Sequence, residues 1–152
     1  MNQTSFELHP RLRADTYCVG DFPLCRLLLM NDCRYPWFIL VPRRSGIREI
    51  FALPQPDQVQ LLKESSHLAT VLQHLYQADK LNIASLGNLV PQLHLHHIVR
   101  FTTDPAWPKP VWGLFPAKPY AAKGGQDIFA RLTGHLVDFK PAVNPFETSA
   151  TC

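Results

Sequence analysis

The stretch Gln92-Leu93-His94-Leu95-His96-His97-Ile98-Val99-Arg100 decides how the rest of the chain is read. Polar and apolar residues alternate through its first half, and successive side chains on a strand point to opposite faces. Gln92, His94 and His96 therefore share one face at intervals of about 6.5–7 Å. Leu93, Leu95 and His97 share the other, where the leucines anchor the strand to a core. An imidazole at position 97 is expected to be neutral and hydrogen-bonded, because burying the charged ring is costly. Three chemistries fit the polar face. One is an edge strand whose imidazoles meet only water. Another is a metal site, in which His94 and His96 recruit ligands from His9, His67, His74, His135 or a carboxylate. The third is nucleophilic: a hydrogen bond fixes one ring nitrogen and aims the other, neutral and unprotonated, at phosphorus.

Upstream, Pro23–Met30 and Pro36–Pro42 are apolar runs separated by Asn31-Asp32-Cys33-Arg34, which reads as two adjacent antiparallel strands. Arg43-Arg44-Ser45-Gly46 breaks the second strand, and Ile47–Leu53 reads as a short strand or extended segment. Asp57 is placed as the N-cap of a helix over 57–79, with Val59, Leu62, Ala69, Leu72, Leu75 and Tyr76 on its apolar face. His67 and His74 fall on its polar side. Lys80–Leu86 reads as a strand, Gly87-Asn88 as a turn and Gln92–Phe101 as the motif strand. Proline between Thr102 and Pro119 excludes regular structure there. A helix over 120–139 and a frayed tail over 141–152 complete the chain. The expected architecture is one α+β domain over 1–140: an antiparallel sheet, one long amphipathic helix and a C-terminal helix.

Composition narrows the class without naming a function. The 152 residues suit a single domain, and a net charge of +3 is too mild to indicate nucleic-acid binding. No run reaches the ~20 apolar residues of a bilayer span. The opening Met-Asn-Gln-Thr-Ser-Phe-Glu lacks the pattern of a signal peptide, so a cytoplasmic location is expected. Cys18, Cys25, Cys33 and Cys152 form no C-x-x-C and are expected to be reduced thiols.

The motif strand resembles the histidine triad (HIT) superfamily of nucleotide hydrolases and transferases, whose motif is H-φ-H-φ-H-φ-φ with φ apolar. It is most similar to a bacterial branch with Gln in the first position, diadenosine polyphosphate hydrolase-like. The resemblance covers residues 20–101, including Leu27-Leu-Leu-Met-Asn31 and Phe38-Ile-Leu-Val-Pro42, which look like the strands of the family's nucleoside pocket. It implies that His94 is the nucleophile and that His96 contacts the phosphate or leaving group. Gln92 stands at the first catalytic position. Asn31, with Asp32 as the neighbouring alternative, matches the ribose contact; Asn82 falls near the phosphate, and Asn88 matches the Gln of a Gly-Gln-Ser/Thr turn. The family also implies a homodimer acting on nucleotide substrates with no cofactor and no metal. Gln92 replaces a histidine, Leu89 a hydroxyl and Trp37 a fourth histidine; His97 stands where an apolar residue is the rule. Gln92 cannot titrate near pH 7. In the following loop, Trp107 and Trp112 either close over a pocket or pack on the protein itself, and Arg43-Arg44 either reach phosphates or are solvated.

Overall fold

The computed structural model describes residues 5–147. A short helix α1 (Pro10–Asp15) leads into β1 (Thr16–Asp21), β2 (Cys25–Met30) and β3 (Trp37–Pro42). A single 3-10 turn at Ile50–Ala52 precedes the long helix α2 (Gln55–Tyr76) and β4 (Lys80–Ser85). The motif strand β5 (Leu95–Arg100), α3 (Ala122–Thr133) and β6 (Lys140–Pro141) follow. The strands form one antiparallel sheet in the order β4-β5-β3-β2-β1-β6. This is the α+β architecture expected from the sequence.

The two faces of the sheet bury different sets. Leu27, Leu29, Phe38, Leu40, Leu95 and Val99 pack with Leu61, Leu68 and Leu72 of α2 and Phe129 and Leu132 of α3. On the opposite face Leu28, Ile39, Val41 and Ile98 meet Leu8 and Leu12 of the N-terminal segment and Ala106 and Val111 of the proline-rich loop. β5 lies between β3 and β4 with all six residues buried. No helix among the described residues is long and apolar enough to cross a membrane.

Several boundaries differ from the sequence reading. Residues 47–53 form no strand. Helix α2 begins two residues before Asp57, with Pro54 at the cap, and the Asp57 carboxylate takes Arg44 Nε and Nη2 at 2.7 and 3.0 Å. Its inward face matches the expectation at Leu72, Leu75 and Tyr76 but not in the first half: Val59 and Leu62 are 50% and 67% exposed, while Glu64 and Ser65 are buried. The cause is polar capture. Glu64 accepts the backbone N–H groups of Leu24 and Cys25 at 2.8 and 2.9 Å, satisfying amides that the sheet leaves unpaired. Regular strand pairing starts at Leu95, not Gln92, and the last helix stops at Thr133, not 139.

Residues 140–141, assigned in part to a frayed tail, add a strand to β1 instead. They do so beside Gly20, whose φ is +150° at a register shift in β1; a Cβ there would lie 2.3 Å from the Lys140 carbonyl oxygen. Positions 148–152 of the expected tail, Cys152 among them, lie outside the described residues. Cys25 and Cys33 are free thiols.

His97 faces α2, fully buried. Its Nδ1 donates to the Leu95 carbonyl at 3.2 Å, so Nε2 is left to accept the Ser65 hydroxyl proton at 2.7 Å. Burial pushes the ring down to about 4, outweighing the hydrogen bond to Leu95. Replacing His97 with Val strands the Ser65 hydroxyl and should cost about 1–3 kcal/mol at pH 7, with turnover less affected. The penalty should shrink on acidification. Because the folded pKa lies below the unfolded value, the wild type itself loses stability as pH falls from about 6.5 toward 4. Denaturant unfolding at pH 7 and pH 5 measures both; an equal penalty at the two pH values contradicts a neutral His97.

Candidate active site

His94 sits just before β5, and its Nδ1 lies 2.6 Å from the carbonyl oxygen of Gln92. A carbonyl only accepts, so Nδ1 carries the ring proton and Nε2 keeps a free lone pair. Burial holds the ring below its ordinary pKa against the raising effect of that hydrogen bond, so it is neutral at pH 7. His96 occupies the same face, its ring 4.9 Å from that of His94 at 71°. The indole N–H of Trp37 donates to His96 Nδ1 at 2.9 Å. Burial, with smaller contributions from His94 and His97, pushes His96 down to about 3.

These two imidazoles form part of the wall of a cavity of about 320 Å³. Trp37 and Trp112, Leu12, Met30 and Val90 supply its apolar sides, Asn88 and Leu89 its turn, and Arg11 and Asp15 are among the remaining lining residues. The volume lies within the range of small-molecule sites, and few polar groups converge on an otherwise apolar wall. Trp112 stands edge-on to His96 at 5.2 Å and to Trp37 at 6.0 Å, and its own indole N–H is buried with no partner among the described residues. A second recess of about 190 Å³, lined by Arg48, Ser85, Asn88 and Gln92, also reaches His94.

Trp112 is held in place through the preceding loop. Arg100, at the end of β5, donates to Asp104 at 2.8 and 3.1 Å, to the Lys109 carbonyl at 2.9 Å and to Asn82 Oδ1 at 2.7 Å. Asp104 in turn accepts the backbone N–H groups of Phe101, Ala106 and Trp107. Trp107 packs over the Arg100 guanidinium at 5.7 Å, so the two tryptophans divide the roles that the sequence left open.

Of the residues singled out from the sequence, the fold brings His94, His96 and Asn88 together at the cavity. The side chain of Gln92 turns elsewhere: it donates to the Glu7 carbonyl and accepts the His9 N–H, both at 2.9 Å. Its backbone carbonyl is the group hydrogen-bonded to His94. Asn31 accepts the Tyr120 N–H at 2.9 Å, Asp32 makes a two-pronged ion pair with Arg34, and Asn82 serves the Arg100 network. None of the three lines the cavity. Arg43 is bonded to the carbonyls of Phe22 and Pro23 and Arg44 to Asp57, so neither is aimed at the site. No group of three His, Cys, Asp or Glu side chains among the described residues is placed to hold a metal. The sequence reading missed Arg11, Leu12 and Asp15; the one available signal was Pro10 at a helix start, with His9 Nδ1 accepting the Arg11 N–H.

Comparison with known proteins agrees with this fold. A histidine triad protein from Marinobacter aquaeolei VT8 superimposes with a TM-score of 0.84 at 52% identity, covering 87% of this chain and 99% of that one. Histidine triad proteins from Bradyrhizobium japonicum and Sinorhizobium meliloti 1021 both give 0.85, at 45% and 43% identity. They cover 86% and 89% of this chain and 98% and 100% of their own. No curated protein matches the chain. The HIT domain model matches residues 11–103, and with the sheet, the motif strand and these relatives in place, the chain belongs to the HIT domain family.

Proposed function

We propose that this chain is a nucleotide hydrolase or nucleotidyl transferase acting on a dinucleoside polyphosphate or nucleoside phosphoramidate through a nucleotidyl-histidine. The observation that carries the reading is the bare Nε2 of His94, held in a cavity by a proton committed to the Gln92 carbonyl. The nucleoside lies against Trp37, Trp112, Leu12 and Met30, which offer flat and apolar surfaces to a base. His94 Nε2 attacks the α-phosphorus, a P–N bond forms, and the bond to the leaving group breaks. His96 donates a hydrogen bond to the reacting phosphoryl group. Water then displaces the histidine, releasing the nucleoside monophosphate and regenerating His94. Phosphoryl-type transfer depends mainly on positioning and charge stabilisation, which this wall provides.

Incubation with a dinucleoside tetraphosphate and with an adenosine phosphoramidate should release nucleoside monophosphate from at least one of them. Rapid quenching should trap nucleotide on His94, detectable by peptide mass spectrometry. The diversion of the Gln92 side chain to Glu7 and His9 favours one alternative, a nucleotide-binding module with lost catalysis. Calorimetric binding of AMP without turnover of either substrate would select it.

The reading includes a homodimer. β4 is an edge strand, and beside it Val59, Leu62 and Ile83 expose apolar side chains around a groove of about 570 Å³ between α2 and β4. A second copy of the same chain covers this surface in a two-fold arrangement, joining edge to edge and helix to helix. Sedimentation should therefore show a dimer, and Leu62→Glu should shift it to monomer at micromolar concentration. A wild-type monomer at such concentrations ends this part of the reading.

A further inference from the structure

We propose that Trp37 is a positioning residue that locks His96 as a permanently neutral hydrogen-bond donor, so that the site cleaves phosphoric anhydrides and not phosphoramidates. The inference rests on the function proposed above for its kinetic part alone. Trp37 opens β3 and lies diagonally across from His96, because Ile39 is the residue directly opposite. Both side chains are buried, at 7% and 4% exposure. An indole N–H can only donate, so at 2.9 Å the acceptor is the lone pair of His96 Nδ1. The proton of the neutral ring then resides on Nε2, which has no partner among the described residues and belongs to a ring lining the cavity.

His94 and His96 are thus the same side chain in opposite states. A carbonyl at Nδ1 leaves His94 with a bare Nε2; an indole at Nδ1 gives His96 an Nε2–H. The titratable and charged groups that His96 faces are His94 on its own strand face, His97 across the sheet, and Arg11 and Asp15 in the cavity wall. Burial among these and the two indoles keeps the ring from taking up a second proton.

A donor of this kind stabilises charge but does not give up its proton, since losing it would leave an imidazolate. In the first step His94 Nε2 forms the P–N bond while the P–O bond breaks, and the electron pair leaves on the bridging oxygen as a phosphate anion. No proton is needed. An amine leaving from a phosphoramidate needs one, and His96 cannot supply it. The chemistry therefore selects leaving groups that are stable as anions: nucleoside phosphates or inorganic polyphosphate.

The tautomer can be read in the ligand-free wild-type protein, labelled with ¹⁵N-histidine, by NMR. The expected result is a proton on His96 Nε2, none on Nδ1, and no change from pH 5 to 8. A proton on Nδ1, or titration within that window, overturns the lock whatever the enzyme does. In kinetics, Trp37→Phe, which keeps an aromatic wall for the base and loses the N–H, should lower kcat on a dinucleoside tetraphosphate about tenfold or more, over and above any change in KM. Trp37→His, which keeps a donor, should restore part of the loss; equal loss in both variants makes Trp37 merely structural and overturns the proposal. Wild type should prefer the tetraphosphate over an adenosine phosphoramidate by about a hundredfold in kcat/KM, and comparable rates overturn the anhydride preference. Absence of all turnover, with the tautomer as stated, refutes the proposed function and leaves the lock established.

Discussion

His94→Ala should reduce turnover by about a thousandfold or more, the scale expected when a covalent nucleophile is removed. Nucleoside monophosphate affinity should change little, because the tryptophan and aliphatic walls that receive the base are untouched. His94→Gly opens space where the ring was, and free imidazole added to that variant should recover part of the rate as a diffusible nucleophile. The measurement is steady-state hydrolysis alongside calorimetric binding. Undiminished turnover in the alanine variant would remove His94 from the mechanism, and with it the reading of the cavity as the reaction site.

The largest stability effect is expected away from the histidines, at Asp104. Asp104→Ala should destabilise the fold by about 3–5 kcal/mol, the cost of leaving a buried charge without its partner. Arg100 is 1% exposed and Asp104 4% on their side chains, and the carboxylate also receives three backbone amides of the loop. Asp104→Asn retains an acceptor oxygen and should lose less. Burial by itself would raise the Asp104 carboxyl, but the Arg100 guanidinium and the amides of Phe101 and Ala106 more than offset it and hold the group below the usual carboxylate range. The stabilisation is then fully present above about pH 4 and is lost as pH falls through the lower folded value. Urea midpoints of wild type and Asp104→Ala should accordingly converge in acid. A gap that stays constant down to pH 2 would show that the charge is not what matters. Because this network carries Trp112 to the cavity, the variant should also bind nucleotide more weakly.

What the sequence made legible was whatever depends on near neighbours. β2, β3 and β4 were bounded to within two residues because apolar runs and turn residues mark them locally. His94 and His96 were placed on one face by alternation alone. β1 went unread because Thr16-Tyr17-Cys18-Val19-Gly20-Asp21 has a register shift between Cys18 and Gly20, which breaks the period-two pattern. On helix α2 the pattern finds Leu72, Leu75 and Tyr76 on the core side but misplaces Val59 and Leu62, because nothing near Glu64 in sequence announces that Leu24 and Cys25 will claim its carboxylate 40 and 39 residues away. The candidate binding residues follow the same rule. Asn31 and Asn82 have the right chemistry for a ligand, but partners 89 and 18 residues distant, Tyr120 and Arg100, hold their side-chain oxygens. Periodicity sees a side chain's direction; it does not see competition for its lone pairs.

The amide of Gln92 fastens the segment at Glu7 and His9, from which α1 runs on to supply Arg11, Leu12 and Asp15 to the cavity. Both bonds join uncharged groups that neither gain nor lose protons across the physiological range. Salt does not screen them, and acid does not break them. These two bonds therefore yield to heat and to urea, which competes for amide groups, while ignoring ionic strength and pH. An ionisable ring at position 92 would have tied the entrance to the acidity of its surroundings. At this joint the amide separates the two, so that the tie between the motif strand and the entrance holds whatever the acidity.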